Sequence, residues 1–454
     1  MKEKIDVLNL EWSSFPSRDR QMATLICNYL RYMGYTVLEE SLFNGYHLLN
    51  KYKPKIFFTT NTLGADINFL MIKYASKKDI TGVSLVSEGN FKDGKENVDQ
   101  FLWGWNTDRV LYETLHMQWS ERTRTMSLKY YPELKDKIKV SGGVGFDVYK
   151  ISHNQQKTDF LKRYNKQDFK KIIGIGCWNF GFFYEEDPHY PMIQKKFSAD
   201  IINRFKEDGK QFNRILKEVI AKNNDILFLL KEHPGSLLGK KSSAIENTEQ
   251  YPNVLILKNE EAVIDCINVS DFWLVYESTT AIEAWLLRKQ TGLLNPSGID
   301  FPRDEIYRGS PNYHSYEDLQ QAIHAFYHDG FLPHFHELEK NRRKIISDVM
   351  QWDDGLNHVR SGNEIIDLIE RNPVQHINKD TIQQLVTRYW QMFEWYFFPV
   401  LRFIPKINRY YLRHQKRFNK KELNEFQEKR MKEQIEFYKK NGLAKSDFRK
   451  IKCL

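Results

Sequence analysis

Cysteine is scarce in this sequence of 454 residues: four are present, Cys27, Cys177, Cys266 and Cys453, and none stands in a Cys-x-x-Cys spacing. That excludes a zinc ribbon or a disulfide framework as the source of stability and fits a reducing, cytoplasmic compartment. Long apolar runs are also missing. No uninterrupted stretch approaches the roughly 20 residues that a bilayer-spanning helix needs, so the chain reads as soluble or peripheral. The start, Met1-Lys2-Glu3-Lys4, leads straight into a strand-like segment without the charged-then-apolar pattern of a secretory signal. Neither Gly-x-Gly-x-x-Gly nor Gly-x-x-x-x-Gly-Lys-Ser/Thr occurs, which excludes an ordinary dinucleotide fingerprint and a P-loop. Asp-x-Asp is absent as well, and no metal or cofactor is expected.

What is present is ample core material. Apolar residues make up 41% and aromatics 14% of the chain, and the length suggests two domains with extensions. A net charge of +9 points to anionic partners such as nucleotides or phospholipid headgroups. Charge alone would also admit nucleic acid, but no recognition motif accompanies it, and none is expected to bind.

Strand and helix patterns alternate from the start. Ile5 to Leu10 reads as a strand, Arg20 to Tyr32 as an amphipathic helix closed by Gly34, and strands follow at Thr36 to Leu38, Ile56 to Thr60, Gly82 to Val86, Arg109 to Tyr112 and Lys137 to Val140. This is the pattern of a doubly wound α/β domain over 1–150. A polar linker over 151–170 leads to a second such domain over 171–375, with strands at Lys171 to Cys177, Ile226 to Leu230, Val254 to Leu257, Phe272 to Tyr276 and Thr291 to Leu294. Two such domains make a cleft between them the expected ligand site. The tail, 376–454, is basic and aromatic. Its Tyr389 to Tyr410 portion suits either a membrane interface or packing on the protein, and Phe418 to Tyr438, charged all round, reads as a solvated helix.

Open α/β sheets bind ligands at the carboxyl ends of their strands, and several polar groups fall there. Lys231-Glu232-His233-Pro234 follows one buried strand. Tyr276-Glu277-Ser278-Thr279-Thr280 follows another and opens a helix, where hydroxyls and unpaired N–H groups suit a phosphate. Either motif alone is as readily a turn or a cap; together they favour a nucleotide site. In the first domain Arg18 and Asp19 follow the first strand, Asn61 the third, and Ser87-Glu88-Gly89 the fourth, where Glu88 is placed to act as a general base. The run Ser141-Gly142-Gly143-Val144-Gly145-Phe146-Asp147 suits a tight turn, a backbone approach to ligand, or a hinge.

His233-Pro234, Ser278-Thr279 and Ser87-Glu88-Gly89, with the turn Lys139 to Asp147, resemble in order and placement the motifs of bacterial GT-B-type glycosyltransferases that use CMP-activated sugars, namely polysialyltransferases, Kdo transferases and related capsule enzymes. The resemblance spans roughly residues 5 to 300. It implies a metal-independent transfer of a sialic-acid- or Kdo-type sugar to a surface polysaccharide or glycolipid at the inner membrane face. Glu88 would be the base and His233 the group that meets the leaving phosphate. Pro234, Ser278, Thr279 and Thr280 would line the nucleotide, with Glu283 near its ribose, and Arg18, Asp19 and Asn61 would meet the acceptor. Ser87 stands where the family has a first acid, so of that acidic pair only Glu88 carries over.

Three other readings stay open. A polyol-phosphate transferase using CDP-glycerol or CDP-ribitol shares the His-Pro but needs a second histidine on the first domain; His47 and His116 do not fall at evident strand ends. A UDP-sugar transferase or epimerase is another. A non-catalytic scaffold of a capsule assembly complex, its tail docked to a membrane, is the third.

Overall fold

Two runs of alternating strands and helices each close into a six-stranded sheet in which every pair of neighbouring strands is parallel. A computed structural model of the chain describes residues 4–15, 17–60, 66–89, 92–104, 106–152, 155–233, 248, 250–258, 260–297, 305–371 and 378–454. The chain divides into two units, one of residues 1–152 with 347–454 and one of residues 153–346. Seven helices matter below: α1 (Arg18–Met33), α2 (Ala199–Lys222), α3 (Thr280–Leu286), α4 (Asn357–Arg371), α5 (Ile382–Phe397), α6 (Pro405–Arg413) and α7 (Lys420–Lys440).

The first sheet is built from β1 (Val7–Glu11), β2 (Val37–Ser41), β3 (Ile56–Thr60), β4 (Thr81–Leu85), β5 (Leu115–Gln118) and β6 (Ile138–Val140), in the order β2-β1-β3-β4-β5-β6. β1 and β3 are buried along their whole length, as expected of central strands covered by helices on both faces. α1 starts on the Ser17 hydroxyl, which accepts from the N–H of Arg20, and stops at Gly34 with φ +105°.

The second sheet contains β7 (Lys171–Gly176), β8 (Ile226–Lys231), β9 (Val254–Leu257), β10 (Phe272–Val275), β11 (Gln290–Leu294) and β12 (Asn312–Tyr313) in the order β12-β11-β10-β7-β8-β9. Counted within this unit the order is 3-2-1-4-5-6, that of a Rossmann sheet, with the switch of direction between β7 and β10. In the first unit the switch lies between β1 and β3.

Four sequence expectations change. Arg109 to Tyr112 is not a strand, because Arg109 has φ +53°, which no extended pairing tolerates. The strand is β5, whose His116 and Gln118 are polar yet fully buried. The stretch read as a polar linker holds a helix, Lys157–Arg163, whose Phe160 and Leu161 are buried within the second unit. The tail is not a separate domain; it belongs with residue 347 onwards to the first unit. Tyr29 of α1 donates its O–H to Asn363 of α4 at 2.7 Å, and Gln434 of α7 donates to the Leu25 carbonyl at 2.9 Å. Finally, α7 is not solvated all round. Leu423, Arg430, Glu433, Gln434 and Tyr438 are buried, and Arg430 pairs with Glu433 at 2.7 Å, so its charge satisfies itself at the packed face.

The glycine run after β6 serves this packing. Asp147 accepts from the Asn357 amide at 2.9 Å and from the His358 N–H and Nδ1 at 2.7 and 2.8 Å, while His358 Nε2 lies 2.6 Å from the Tyr438 hydroxyl. Gly142, at φ +89°, lies against Asn357 so closely that a Cβ would fall 1.9 Å from its Oδ1. These glycines let the start of α4 pack closely against the turn after β6.

Candidate functional site

Each unit presents its own polar strand edge. On the first, Arg18, Asp19, Ser87 and Glu88 come together although 69 residues separate Arg18 from Ser87. The Arg18 guanidinium donates to the Ser87 carbonyl at 3.4 Å and lies 3.8 Å from the Glu88 carboxylate, whose side chain is 85% exposed. Ser87 is buried, and its hydroxyl hydrogen-bonds the Asp19 carboxylate. Burial pushes the Asp19 pKa up from the ordinary carboxylate range, against the pull of the Ser87 hydrogen bond and of Arg18. The serine that stands in for an acid thus supports an acid from α1, and two carboxylates still share this edge. Gly89 is fixed by space: a Cβ there would meet the Trp119 ring at 2.4 Å, and that indole donates to the Val86 carbonyl at 2.8 Å. Asn61 lies outside the described residues.

Sequence reading passed over Glu11, the last residue of β1. Its carboxylate accepts from the Thr60 N–H at 2.9 Å, the Thr60 hydroxyl at 2.8 Å and the Asn9 amide at 3.1 Å, tying the end of β1 to the end of β3 at the switch point. Burial pushes its pKa up to about 8, with Arg20 pulling the other way. The folded protein therefore holds a proton here that the unfolded chain releases near pH 4.5, and this contribution to stability, full below pH 4.5, fades as pH rises through about 8. Glu11→Gln mimics the protonated acid. Its unfolding free energy should match wild type below pH 4.5 and exceed it by a few kcal/mol above pH 8, at about 1.4 kcal/mol per pKa unit; equal pH profiles in denaturant titrations refute it.

Neither histidine considered for a second catalytic role stands at this edge. His47 lies in the helix Gly45–Tyr52, and His116, within β5, is buried with Nδ1 2.8 Å from the Ser84 hydroxyl. The tail brings His414 instead, its ring 6.0 Å from Trp12 and 4.9 Å from Phe43. Beside it, Ser14 accepts from the Asn419 N–H at 2.9 Å, and its own N–H donates to the Arg417 carbonyl at 3.0 Å.

On the second unit, register aligns the ends of three strands: Val275 pairs with Gly176 and Gly176 with Lys231. His233 and Ser278 thus follow strands on either side of β7 whose ends lie two strand spacings, or roughly 10 Å, apart. The Ser278 hydroxyl accepts from the Thr280 N–H at 3.2 Å and lies 2.9 Å from the Thr280 hydroxyl, which in turn accepts from the Trp273 indole at 3.0 Å. Thr279 holds the N-cap position of α3 but makes no capping bond; Ser278, one residue before it, does the capping and Thr280 braces it. Gly176 underlies this group, since a Cβ there would meet the Thr280 hydroxyl at 2.7 Å. Glu283 is buried in the first turn of α3. Pro234 lies outside the described residues.

The loop after β7 adds groups that sequence reading did not single out. The Phe182 ring sits 6.2 Å from His233 and 5.1 Å from His189, and Asp187 accepts from the His189 N–H at 2.8 Å with Nδ1 at 2.9 Å. A second, carboxylate-oriented imidazole therefore stands on the same edge. Its only sequence signal was the aromatic and acidic composition of this loop.

No protein-family model matches the chain, and comparison with curated proteins finds no match in sequence. Solved structures are similar in fold. UDP-N-acetylglucosamine 2-epimerase from Listeria monocytogenes has a TM-score of 0.52 at 12% identity, over 84% of this chain and 100% of its own. The wall teichoic acid polymerase TagF has a TM-score of 0.52 at 12% identity, over 82% of this chain and 90% of its own. The chain has a GT-B-like fold. S. aureus MnaA, solved with UDP, is also similar, with a TM-score of 0.50 at 12% identity over 84% of this chain and 100% of its own.

Proposed function

We propose that this protein is a glycosyltransferase that moves a sialic-acid- or Kdo-type sugar from a CMP-linked donor to a surface-polysaccharide or glycolipid acceptor, at the inner face of the cell membrane. The observation that carries the reading is the edge of the second sheet. The order 3-2-1-4-5-6 puts its switch point at β7 and β10, and His233 and the Ser278-Thr279 hydroxyls flank it. A gap of roughly 10 Å between those strand ends is one that two side chains and a single phosphate bridge.

In this reading His233 hydrogen-bonds the phosphate oxygens as the glycosidic bond to the nucleotide breaks, and the Ser278 and Thr279 groups hold the same phosphate. Pro234 and Glu283 complete the nucleotide side. Glu88 takes the proton of the acceptor hydroxyl as it attacks the anomeric carbon, with Arg18, Asp19 and Asn61 meeting the acceptor. The nucleotide-sugar donor is the substrate, and neither a cofactor nor nucleic acid enters.

A second reading is favoured by the likeness to TagF: transfer of a polyol phosphate from a CDP-linked donor, for which His414 supplies a histidine on the first unit. A third follows from the epimerases and the UDP-bound neighbour.

Thermal-shift titration with CMP, CDP, UDP and GDP tests these readings. A ligand at a hundred times its Kd stabilises the folded state by about 2.7 kcal/mol, roughly 5–10 °C for a unit of this size. The expected result is a shift with CMP that is reduced in His233→Ala and in Ser278→Ala. A preference for CDP moves the protein to polyol-phosphate transfer, and one for UDP to UDP-sugar chemistry. No shift with any nucleotide leaves a non-catalytic scaffold.

A further inference from the structure

α5 turns an apolar face to solvent. Its exposed apolar residues Ile382, Val386, Trp390, Phe393 and Phe397 recur at intervals of three or four, and Val400 extends the row past the helix end. That spacing places them on one face. Ile382 is 83% exposed and Val400 71%, so the face is presented to solvent.

The opposite side makes the contacts with the protein, through Trp395 and Phe398, whose rings lie 6.4 Å from Phe418 and 5.3 Å from Tyr410, and through polar groups. Gln391, 8% exposed, accepts from the Tyr46 N–H at 2.9 Å. Arg388 pairs with Asp380 at 2.6 Å, and the Glu394 carbonyl accepts from the Gln415 amide at 2.8 Å. With one side already packed, a second, largely aromatic face of this length left in solvent marks an interaction surface.

The next segment shows what. Residues 399–417 contain Arg402, Lys406, Arg409, Arg413, Lys416 and Arg417 and no acidic residue. All six are exposed, and none forms an ion pair among the described residues. Between them Phe403 is 77% exposed. Aromatic side chains beside unpaired cations match the layered chemistry of a bilayer interface, where rings sit at the headgroup level and cations meet lipid phosphates. A protein partner with an apolar groove would match the stripe but would leave six neighbouring cations without counter-charges. Among the described residues no helix is long and apolar enough to cross a membrane, so the contact is made along the surface.

We infer that α5, α6 and the segment joining them form a docking surface for an anionic bilayer. The inference names the partner implied by the proposed reaction at the membrane face, but it rests on residues remote from the nucleotide edge. It also bears on the acceptor side. Arg417 of the same basic segment touches the loop after β1 through Ser14, so a bilayer held here lies next to the acceptor groups and favours a lipid-linked acceptor.

The test is sedimentation of the full-length protein with vesicles of phosphatidylcholine alone and of phosphatidylcholine mixed equally with phosphatidylglycerol. Removal of the tail would mislead, because Tyr438 and Phe448 are buried in the first unit; exposed side chains are changed instead. Wild type should pellet with the anionic vesicles, less so as salt rises. Arg409→Gln with Arg413→Gln should weaken binding by about fivefold for each charge removed. Trp390→Ser, Phe397→Ser and Phe403→Ser together should abolish binding with an unchanged melting temperature and an unchanged response to nucleotide. Failure of wild type to pellet with anionic vesicles overturns the inference, as does equal binding by the stripe variant. Concentration-dependent self-association that the stripe variant abolishes without lipid overturns it too, since the occupant is then a second copy. The nucleotide response separates failure of this surface from failure of the donor site.

Discussion

Glu88→Gln should lower kcat of the proposed transfer by about 10²–10⁴ with little change in the donor KM, and Asp19→Asn should lower it by a smaller factor. Both carboxylates stand on the same strand edge, and they differ in what surrounds them. Glu88 is exposed and 3.8 Å from Arg18, free to reach an acceptor hydroxyl. Asp19 is held by Ser87, and burial raises its pKa, which moves it towards the range where a base both exists ionised and accepts a proton with useful driving force. Accessibility favours Glu88; proton affinity favours Asp19. The pH profile decides between them. The acidic limb of kcat against pH reports the ionisation of the base and disappears in the variant that has lost it. If Asp19→Asn costs the larger factor and removes that limb, Asp19 is the base and Glu88 only orients Arg18. Equal, modest losses in both variants leave neither as base and remove the catalytic role from this edge.

That ambiguity shows where the sequence was legible and where it was not. Ile226 to Leu230 and Phe272 to Tyr276 announce buried parallel strands because both faces of such strands are covered, and the hydroxyls after β10 announce a helix start; the Ser278 cap follows from local chemistry alone. β5 was missed because His116 and Gln118 break the apolar run. His116 Nδ1 meets the Ser84 hydroxyl of β4, and the Gln118 amide meets Ser127 in the helix Glu121–Tyr130, partners from elsewhere in the chain. The same holds for Asp19 and Ser87, and most of all for Ser14 and Arg417, which meet across 403 residues. No local period encodes such a meeting. α7 misled for a related reason, since Arg430 and Glu433 neutralise one another where they are buried, whereas a count of charges treats each as solvated. Gly89 is likewise fixed from elsewhere in the chain: the Trp119 ring excludes a side chain there.

His233→Ala should lower kcat by about 10²–10³, and the form of that loss tests the donor edge more sharply than its size. If the imidazole acts on the leaving phosphate, the loss falls on kcat, because the charge it meets develops only as the bond breaks. His233→Gln, whose amide still donates a hydrogen bond, should then recover part of the rate. Ser278→Ala should behave differently. Its hydroxyl is committed to the Thr280 N–H and hydroxyl, so its removal loosens the start of α3 at a cost of about 1 kcal/mol in stability and raises the donor KM by several-fold with a smaller effect on kcat. Two groups that meet one phosphate do not contribute independently, and the double variant should lose less than the product of the single losses. Strictly multiplicative losses would place His233 and Ser278 on different parts of the donor. The gap between the ends of β8 and β10 would then hold more than one phosphate, and a diphosphate-linked donor would replace the proposed CMP-sugar.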